Sequence, residues 1–422
     1  MKPAQKVLVV LTLFSIVILY FFRLQSVSRL NLPANKVITL RGKVTEQPYL
    51  KGSYQIISLG SIKVLTDRFP GYFYGDDLEV SGKFEKRVIN PFQTEYWAFF
   101  PTIRPLEEGK KLSFFSSFKR SLYFFRGRLE TAFAQVLPEP EASLEMGILL
   151  GVKKEIPEDF LNNLRKTGTL HIIVASGYNL SVVAGFLVST LVWFVSRRKA
   201  LLFAFLGIIF YTLLVGGEPP VVRAAMMATI AYTAEFLGRP KSGLIGLFIT
   251  ALVMLIISPL ILFDLGFQLS LLATSGILLV YPLLKERRIF NWPVFGDNLA
   301  TTLAAQIGVL PLLLVNFGNF SWLSPLINAL VLPLVPLLMN LGGVMVLFAL
   351  VSKPMAQVIG WVLWLPLTYL VKLIEFCGGL PWFNFQIKSL SFWWGIGYYL
   401  VLGIILWLAW KRRWNLKESR LF

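Results

Sequence analysis

The 422-residue sequence contains only one cysteine, Cys377, and only one histidine, His171. A single cysteine excludes an intrachain disulfide framework and a cysteine-ligated metal site, and a single histidine excludes a histidine-rich metal centre. Charged residues are also scarce, since they make up 15% of the chain, whereas soluble domains carry about 25%. We therefore expect no metal and no other cofactor, and we do not expect a soluble globular protein.

Long uncharged runs dominate what is present. Apolar residues make up 55% of the chain, and runs such as 200–216, 244–263 and 303–315 carry no charged side chain. A helix needs about 20 predominantly apolar residues to cross the hydrocarbon core of a bilayer. The sequence therefore predicts a polytopic α-helical membrane protein.

The ends of these runs predict ten spans and their orientation. The first is an uncleaved anchor within residues 1–29, and the rest form a membrane domain over 168–422. These nine spans lie near 168–196, 200–216, 219–238, 242–259, 263–284, 296–316, 322–350, 355–377 and 391–410. With both termini in the cytoplasm, the inner loops hold 16 basic residues and the short outer loops hold essentially Lys388. Because this asymmetry orients membrane proteins, we expect an inner-membrane protein whose net charge of +18 mostly reflects topology.

Three prolines interrupt the span at 322–350, namely Pro325, Pro333 and Pro336. The stretch is also too long for one straight crossing of about 20 residues. Proline removes a backbone donor and breaks helices, which membranes tolerate where protein or water satisfies the freed carbonyls. We expect a broken or re-entrant helix there.

Residues 30–110 predict a small extracytoplasmic β domain. The segments VITLRGKV, YQIISLG, IKVLT and LEVSGKF are short and β-branched, with Gly, Pro, Asp and Asn between them, a pattern typical of strands. Four or five strands in this length suggest an OB-like β-barrel. The domain contains the aromatic residues Tyr49, Tyr54, Phe69, Tyr72, Phe73 and Tyr74. They could stack on bases or could form the core and contact the membrane interface, and the sequence leaves both open.

Residues 111–167 predict interfacial amphipathic helices. In 112–136 a helical stripe consists of Phe114, Phe118, Leu122, Phe125, Leu129 and Phe133. Basic residues such as Lys119 and Arg126 lie off this stripe, and a basic amphipathic helix of this kind lies in the membrane interface. A short apolar helix and a polar helix follow, separated by Ile156-Pro157.

Polar residues inside the predicted spans mark a candidate site. They are His171, Ser176, Asn179, Arg223, Asp264, Gln268, Gln306 and Asn328. All lie in the outer halves of their spans, and charged groups in a bilayer face a bundle interior or a wet cavity. We therefore predict an outward-facing polar cavity, in which Arg223 pairs with Asp264. Alternatives remain open, because Ser176 could bond its own helix and Asn328 could join neighbouring helices.

The proximity of Ser176 and His171 raises the alternative of an intramembrane hydrolase. On one continuous helix the two side chains point about 140° apart at about 100° per residue. Without a break in that helix they cannot form the hydrogen bond that a nucleophile and its base require. We therefore expect no catalytic dyad.

Four motifs in order resemble the ComEC family of competence proteins. They are LEMGILLGVKKEIPEDFLNNLRKTGTLHIIVASGYNLSVVAGF, GGEPPVVRAAMM, FDLGFQLSLLATSGIL and AAQIGVLPLLLVNFGNFSWLSPLINALVLPL. The first supplies Gly151, Lys153, Gly168, His171 and the Ser176-Gly177 pair, and the second supplies an Arg at 223. The resemblance covers about residues 30–340 and includes the OB-like region.

The resemblance implies a channel that passes single-stranded DNA inward during natural transformation. The candidate phosphate contacts are Lys153, Lys154, Arg165 and Lys166, although these side chains could equally snorkel at the interface. Asn179 replaces the second histidine of the family motif. The metallo-β-lactamase-like nuclease domain of many members is not present in this sequence, so we expect no enzymatic activity.

The implied partners are single-stranded DNA and the lipid bilayer, together with a separate DNA receptor, nuclease and cytoplasmic helicase, and a homo-oligomer is possible. Two alternative functions remain. One is transport of another anionic polymer or a lipid-linked substrate, and the other is intramembrane hydrolysis.

Overall fold

A computed structural model describes residues 19–25, 32–33, 37–51, 53–90, 93–106, 113–152, 156–174, 176–240, 242–290, 292–380, 385–386 and 391–418. The chain divides into two compact units. The first comprises Met1–Leu129 and Leu252–Asp264, and the second comprises Glu130–Ala251 and Leu265–Phe422. Most of the expected anchor, together with Lys153 and Lys154, lies outside the described residues.

Seven strands form the β domain of the first unit. They are β1 (Val37–Lys43), β2 (Tyr49–Lys51), β3 (Tyr54–Leu59), β4 (Ile62–Asp67), β5 (Asp77–Asn90), β6 (Gln93–Phe99) and β7 (Thr102–Pro105). The hydrogen-bonded order is β1-β5-β6-β4-β3-β2, and β7 also pairs with β5. β4 and β6 run parallel, whereas the other pairs are antiparallel. A β domain in this region is confirmed, and its closure into an OB-like barrel stays a prediction.

Alternation along the strands explains the core of this domain. Ile57, Val64, Leu78, Val80 and Ala98 are completely buried, and they belong to one apolar cluster. Side chains of successive strand residues point to opposite faces, so Leu78 and Val80 share one face of β5. The core is therefore built from the strands themselves.

The first unit continues into α1 (Phe114–Val136). Arg120 of α1 forms an ion pair with Asp76 at 3.2 Å, and the Lys119 ammonium lies 4.7 Å from the centre of the Tyr74 ring. Leu122 and Leu129 of the predicted stripe are buried, whereas Phe114 is 91% exposed. The predicted helix is therefore present, and its apolar N-terminal end is exposed.

Twelve further α-helices follow α1 in the described chain. They are α2 (Glu141–Leu150), α3 (Glu158–Thr167), α4 (Gly177–Leu191), α5 (Arg197–Val215), α6 (Pro219–Phe236), α7 (Gly243–Ile257), α8 (Leu265–Leu284), α9 (Phe295–Phe317), α10 (Ser324–Val331), α11 (Val335–Ala349), α12 (Lys353–Gly379) and α13 (Phe392–Glu418). Short strands β8 (Asn319–Phe320) and β9 (Phe385–Gln386) pair with each other.

Among the described residues, six helical segments are long and apolar enough to cross a membrane. They are α5, α8, α9, the pair α10–α11, α12 and residues 393–413 of α13. The shorter helices α4 and α7 are apolar as well. These segments identify a membrane protein, whereas the expected number of ten spans and their orientation stay predictions.

The expected interruption within 322–350 is present. A 3₁₀ turn at Leu332–Leu334 separates α10 from α11, and Pro333 lies in that turn. Proline has no backbone N–H to continue the helical ladder. The sequence therefore predicted the break correctly, and whether the segment crosses once or returns stays open.

The two helices predicted after α1 are present, but α2 differs in character from an interfacial helix. Nine of its ten residues are buried, including Glu141 and Glu145. α2 packs against α11 and α12. It is therefore an internal helix rather than one with an exposed polar face.

Candidate functional site

An irregular segment replaces the first turns of the predicted second span. α3 ends at Gly168, whose φ of +70° lies in the left-handed region, where glycine is favoured. A 3₁₀ turn follows at Leu170–Ile172, and α4 begins only after Ser176. The prediction of one helix over 168–196 was therefore wrong at its N-terminal end.

The break changes the argument about His171 and Ser176. The Ser176 hydroxyl donates to Asn179 Oδ1 at 3.0 Å and accepts from the Asn179 N–H, which makes Ser176 the N-cap of α4. His171 is exposed, and its Nδ1 lies 3.2 Å from the Gly168 carbonyl oxygen. Helix geometry no longer separates the two side chains, but their hydrogen bonds go to these other partners.

Asn179 joins α4 to the end of α2. Its side chain is 2% exposed, and Nδ2 donates to the Ile148 carbonyl oxygen at 2.8 Å. The Tyr211 hydroxyl of α5 donates to the next carbonyl oxygen, that of Leu149, at 2.9 Å. The last carbonyls of a helix have no partner within the helix, so these two side chains complete the C-terminus of α2.

Arg223 is the buried cation of the site. It lies on α6, is 7% exposed and donates from Nε to Ser270 Oγ at 2.7 Å. Its Nη1 faces Met227 Sδ at 3.1 Å. Among the described residues it forms no ion pair. The expected pairing with Asp264 stays a prediction, and the partner observed for Nε is a serine hydroxyl.

The guanidinium of Arg223 also lies beside the N-terminus of α4. A Cβ built on Gly177, the first residue of α4, would lie 3.3 Å from Arg223 Nη2 and 3.0 Å from Ala224 Cβ. A helix N-terminus carries a partial positive charge and unpaired N–H groups. The guanidinium and the N-terminus of α4, both positive, thus lie together at Gly177. This arrangement favours the binding of an anion.

A second polar group surrounds the end of α3. The Ser324 hydroxyl of α10 donates to the Gly168 carbonyl oxygen at 3.5 Å, and Asn328 Nδ2 donates to Ser324 Oγ at 3.1 Å. Gln306 of α9 donates to the Ser321 carbonyl oxygen at 3.5 Å. The side-chain oxygens of Gln306, Ser321 and Asn328 have no hydrogen-bond partner among the described residues. The Ser324 hydroxyl thus links α10 to the end of α3, and the Gln306 amide links α9 to the segment that precedes α10.

The remaining predicted residues in the described part of the chain are exposed or half-buried. Asp264 belongs to the first unit, and Gln268 is a half-buried residue of α8. Arg165 forms an ion pair with Glu158 at 3.2 Å and is exposed. Lys166 is exposed as well. The predicted phosphate contacts on α3 are therefore surface side chains.

The comparison with protein families identifies the domain that carries both polar groups. A family model described as "Competence protein" matches residues 148–412, well over half of the chain. The chain belongs to the competence protein family. The matched region contains His171, Ser176, Asn179, Arg223, Gln306 and Asn328.

Individual curated proteins also resemble about half of the chain. The chain is 25% identical to the ComE operon protein 3 of Bacillus subtilis over 51% of its own length and 28% of that protein. It is 31% identical to an uncharacterised protein of Aquifex aeolicus over 48% of its length and 46% of the relative. The aligned segments thus span less than half the length of these curated relatives. No solved structure matches the chain.

Two hydrogen-bonding residues in the competence domain, Ser270 and Ser324, were not predicted as site residues. Ser270 belongs to the GFQLS segment of the motif, so its type and place were visible, but its bond to Arg223 depends on how α6 and α8 pack. Ser324 carried no signal beyond its position before Pro325. Gly177 was part of the Ser-Gly pair, and its lack of a side chain is what admits the guanidinium.

Proposed function

We propose that this competence-family protein forms the path by which single-stranded DNA crosses the cytoplasmic membrane in natural transformation. The family assignment supports a role in DNA uptake, and the Bacillus relative is named ComE operon protein 3. The protein in this proposal conducts the strand and carries out no bond-breaking step of its own.

Arg223 carries the proposal. Arg223 has no carboxylate partner among the described residues, and a buried guanidinium of this kind is costly in a membrane domain unless an anion pairs with it. A DNA strand brings one negative charge per nucleotide, and Arg binds phosphate through two parallel N–H donors. The N-terminus of α4 at Gly177 adds donors of the same polarity.

The basic and aromatic side chains of the β domain supply a second contact in this proposal. Arg87 lies 4.9 Å from the centre of the Trp97 ring, and the Trp97 and Phe99 rings stack with centroids 6.1 Å apart. Phe99 is 40% exposed. Aromatic faces beside arginine bind unpaired bases without regard to sequence, and the alternative role of these rings as membrane contacts remains open.

Complementation of a transformable strain lacking its own competence protein tests the proposal. We expect Arg223→Ala to reduce transformation by at least about tenfold, because a charge-assisted phosphate contact contributes about 1.5–3 kcal/mol. Arg223→Lys keeps the charge but loses the paired donors, and we expect an intermediate loss. Membrane levels of each variant are measured by immunoblotting in parallel.

Arg197→Ala is the matched control. Arg197 also lies on a helix of the membrane domain, but it is exposed and paired with Glu235 at 2.8 Å. We expect transformation to remain at the wild-type level in this variant. Wild-type transformation in an Arg223→Ala strain with normal protein levels would refute the proposed role of the arginine.

The same assay separates the alternative functions. If deletion of the gene leaves transformation unchanged but alters envelope polymers, the protein transports another anionic polymer or a lipid-linked substrate. If Ser176→Ala abolishes a measured hydrolysis by the purified protein, an intramembrane hydrolase is the better assignment.

A further inference from the structure

The most unusual titratable group outside the Arg223 site is Glu145, in the middle of α2. Its side chain is completely buried, and neither carboxyl oxygen has a hydrogen-bond partner among the described residues. The carboxyl group lies directly against Gly342 of α11, where a side chain on that glycine would overlap it. Glu145 therefore occupies a space that exists only because residue 342 has no Cβ.

Within the part of the chain that the structure describes, no charged side chain is paired with Glu145. α11 contains no titratable or charged side chain. From α12, the Thr368 hydroxyl reaches α2 and donates to Glu141, one turn before Glu145, at 2.8 Å. The polar contacts at the C-terminal end of α2, from Asn179 and Tyr211, go to backbone carbonyls. No ion pair among the described residues includes Glu145.

An ionised carboxylate in such a place is highly unfavourable. Transfer of an unpaired carboxylate out of water costs so much that a buried group takes up a proton instead. A protonated carboxylic acid is neutral, and it costs only what an imperfectly bonded polar group costs. The contact with Gly342 is thus compatible with the protonated form alone.

We propose that Glu145 is a proton-binding site of the membrane domain, occupied at neutral pH, whose proton keeps α2 packed against α11. The bound species is a single proton on one carboxyl oxygen. When the proton leaves, the carboxylate recruits water or a cation, and the α2–α11 contact opens to admit it. This inference does not depend on the proposed role in DNA uptake.

Infrared spectroscopy of the purified full-length protein tests the protonation. We expect a C=O stretching band of a protonated carboxylic acid at neutral pH, shifted in D₂O and lost at alkaline pH. Glu145→Gln should remove this band. Glu141→Gln is the matched control, because Glu141 lies on the same helix face and has the Thr368 partner, and it should leave the band in place.

The wild-type spectrum is decisive even where a variant does not fold. Absence of a protonated carboxyl band in the wild-type protein at neutral pH would overturn the proposal. So would a band that persists unchanged in folded Glu145→Gln. A neutral Glu145 also predicts that the isosteric Gln keeps the thermal midpoint, whereas a large drop in midpoint would point to an ionised carboxylate with an unseen counter-ion.

Hydrogen exchange tests the coupling to α2. At alkaline pH we expect peptides from Glu141–Leu150 to exchange faster in the wild-type protein than in Glu145→Gln, because only the wild type can ionise there. Both proteins are measured at the same pH, so the intrinsic chemical rate is identical. Equal exchange in the two proteins at every pH would refute the proposed opening.

Discussion

At the scale of single residues, Asn179 resolves a question that the sequence posed. It stands where the resembling family has a second histidine, and any role that required two imidazoles was in doubt. In the structure its amide donates to the Ile148 carbonyl oxygen and its Oδ1 accepts from the Ser176 hydroxyl. One amide thus orders both the start of α4 and the end of α2, so its first role is to position the segment beside Arg223.

Replacing Asn179 with alanine should destabilise the protein. The Ile148 carbonyl would lose its side-chain partner in a buried place, and an unsatisfied buried group costs about 1–3 kcal/mol. We expect a lower thermal midpoint in detergent for Asn179→Ala. Asn316→Ala is the control, since the exposed Asn316 amide donates to the Leu312 carbonyl of its own helix. Equal midpoints for the two variants would contradict the assignment.

Ser176 shows how much of the site local sequence signals could predict. The Ser-Gly pair was visible, and a serine before an apolar run is a recognised start signal for a helix. The long apolar run around it favoured one continuous span instead. The break in the helix is held by contacts between residues distant in sequence, such as the bond from Ser324 to the Gly168 carbonyl oxygen. The periodicity of the sequence does not predict such a contact.

At the scale of elements, the crossing of α8 and α9 is unusually close. A Cβ on Gly276 would overlap the Ala304 carbonyl oxygen, and a Cβ on Gly308 would overlap that of Leu272. Small residues at membrane-helix interfaces permit backbones to approach in this way. α13 then packs on α9 and supplies two tyrosine hydroxyls, to the carbonyl oxygens of Ile307 and Gly308, both at 3.0 Å.

The bond from Tyr398 to Ile307 should compensate for the proline in α9. Pro311 has no N–H, so the carbonyl four residues earlier, that of Ile307, lacks its helical donor, and the Tyr398 hydroxyl takes that place. We expect Tyr398→Phe to lower the free energy of unfolding by about 1–3 kcal/mol. In a Pro311→Ala background the helix supplies its own donor, so the same substitution should cost much less.

This pair forms a double-mutant cycle. The measurement is the thermal or denaturant midpoint of the four proteins in one detergent. Tyr399→Phe serves as the control, because the Gly308 carbonyl keeps its helical donor from Leu312 whether or not Pro311 is present. A Tyr398→Phe cost that is the same in both backgrounds would show that the hydroxyl does not serve the proline break.

At the scale of the whole molecule, composition and local sequence patterns were enough to predict the membrane class, the presence of the β domain and the order of the helices along the chain. Hydropathy and strand alternation are properties of short windows, and they predict single helices and strands. The number of ten spans stays a prediction, because α4 and α7 are apolar but shorter than the six long segments found among the described residues. The Arg223 site depended on packing between α4, α6 and α8, which single-sequence patterns do not specify.

The composition of its core predicts that the β domain folds without the membrane helices. Its core residues all come from within 32–106, and Leu32 joins the core while its N–H donates to the Tyr96 hydroxyl. The Leu106 N–H donates to the Asp77 carbonyl oxygen and closes the other end. A fragment of this size has a stability of only a few kcal/mol, so one core truncation should decide whether it folds.

We expect fragment 32–106 to unfold cooperatively by circular dichroism. Leu78→Ala, at a fully buried position, should abolish that transition, since such truncations cost about 2–5 kcal/mol. Val88→Ala, at a position that is 66% exposed, should leave the transition nearly unchanged. A wild-type fragment without a cooperative transition would mean that the β domain depends on the rest of the chain for its fold.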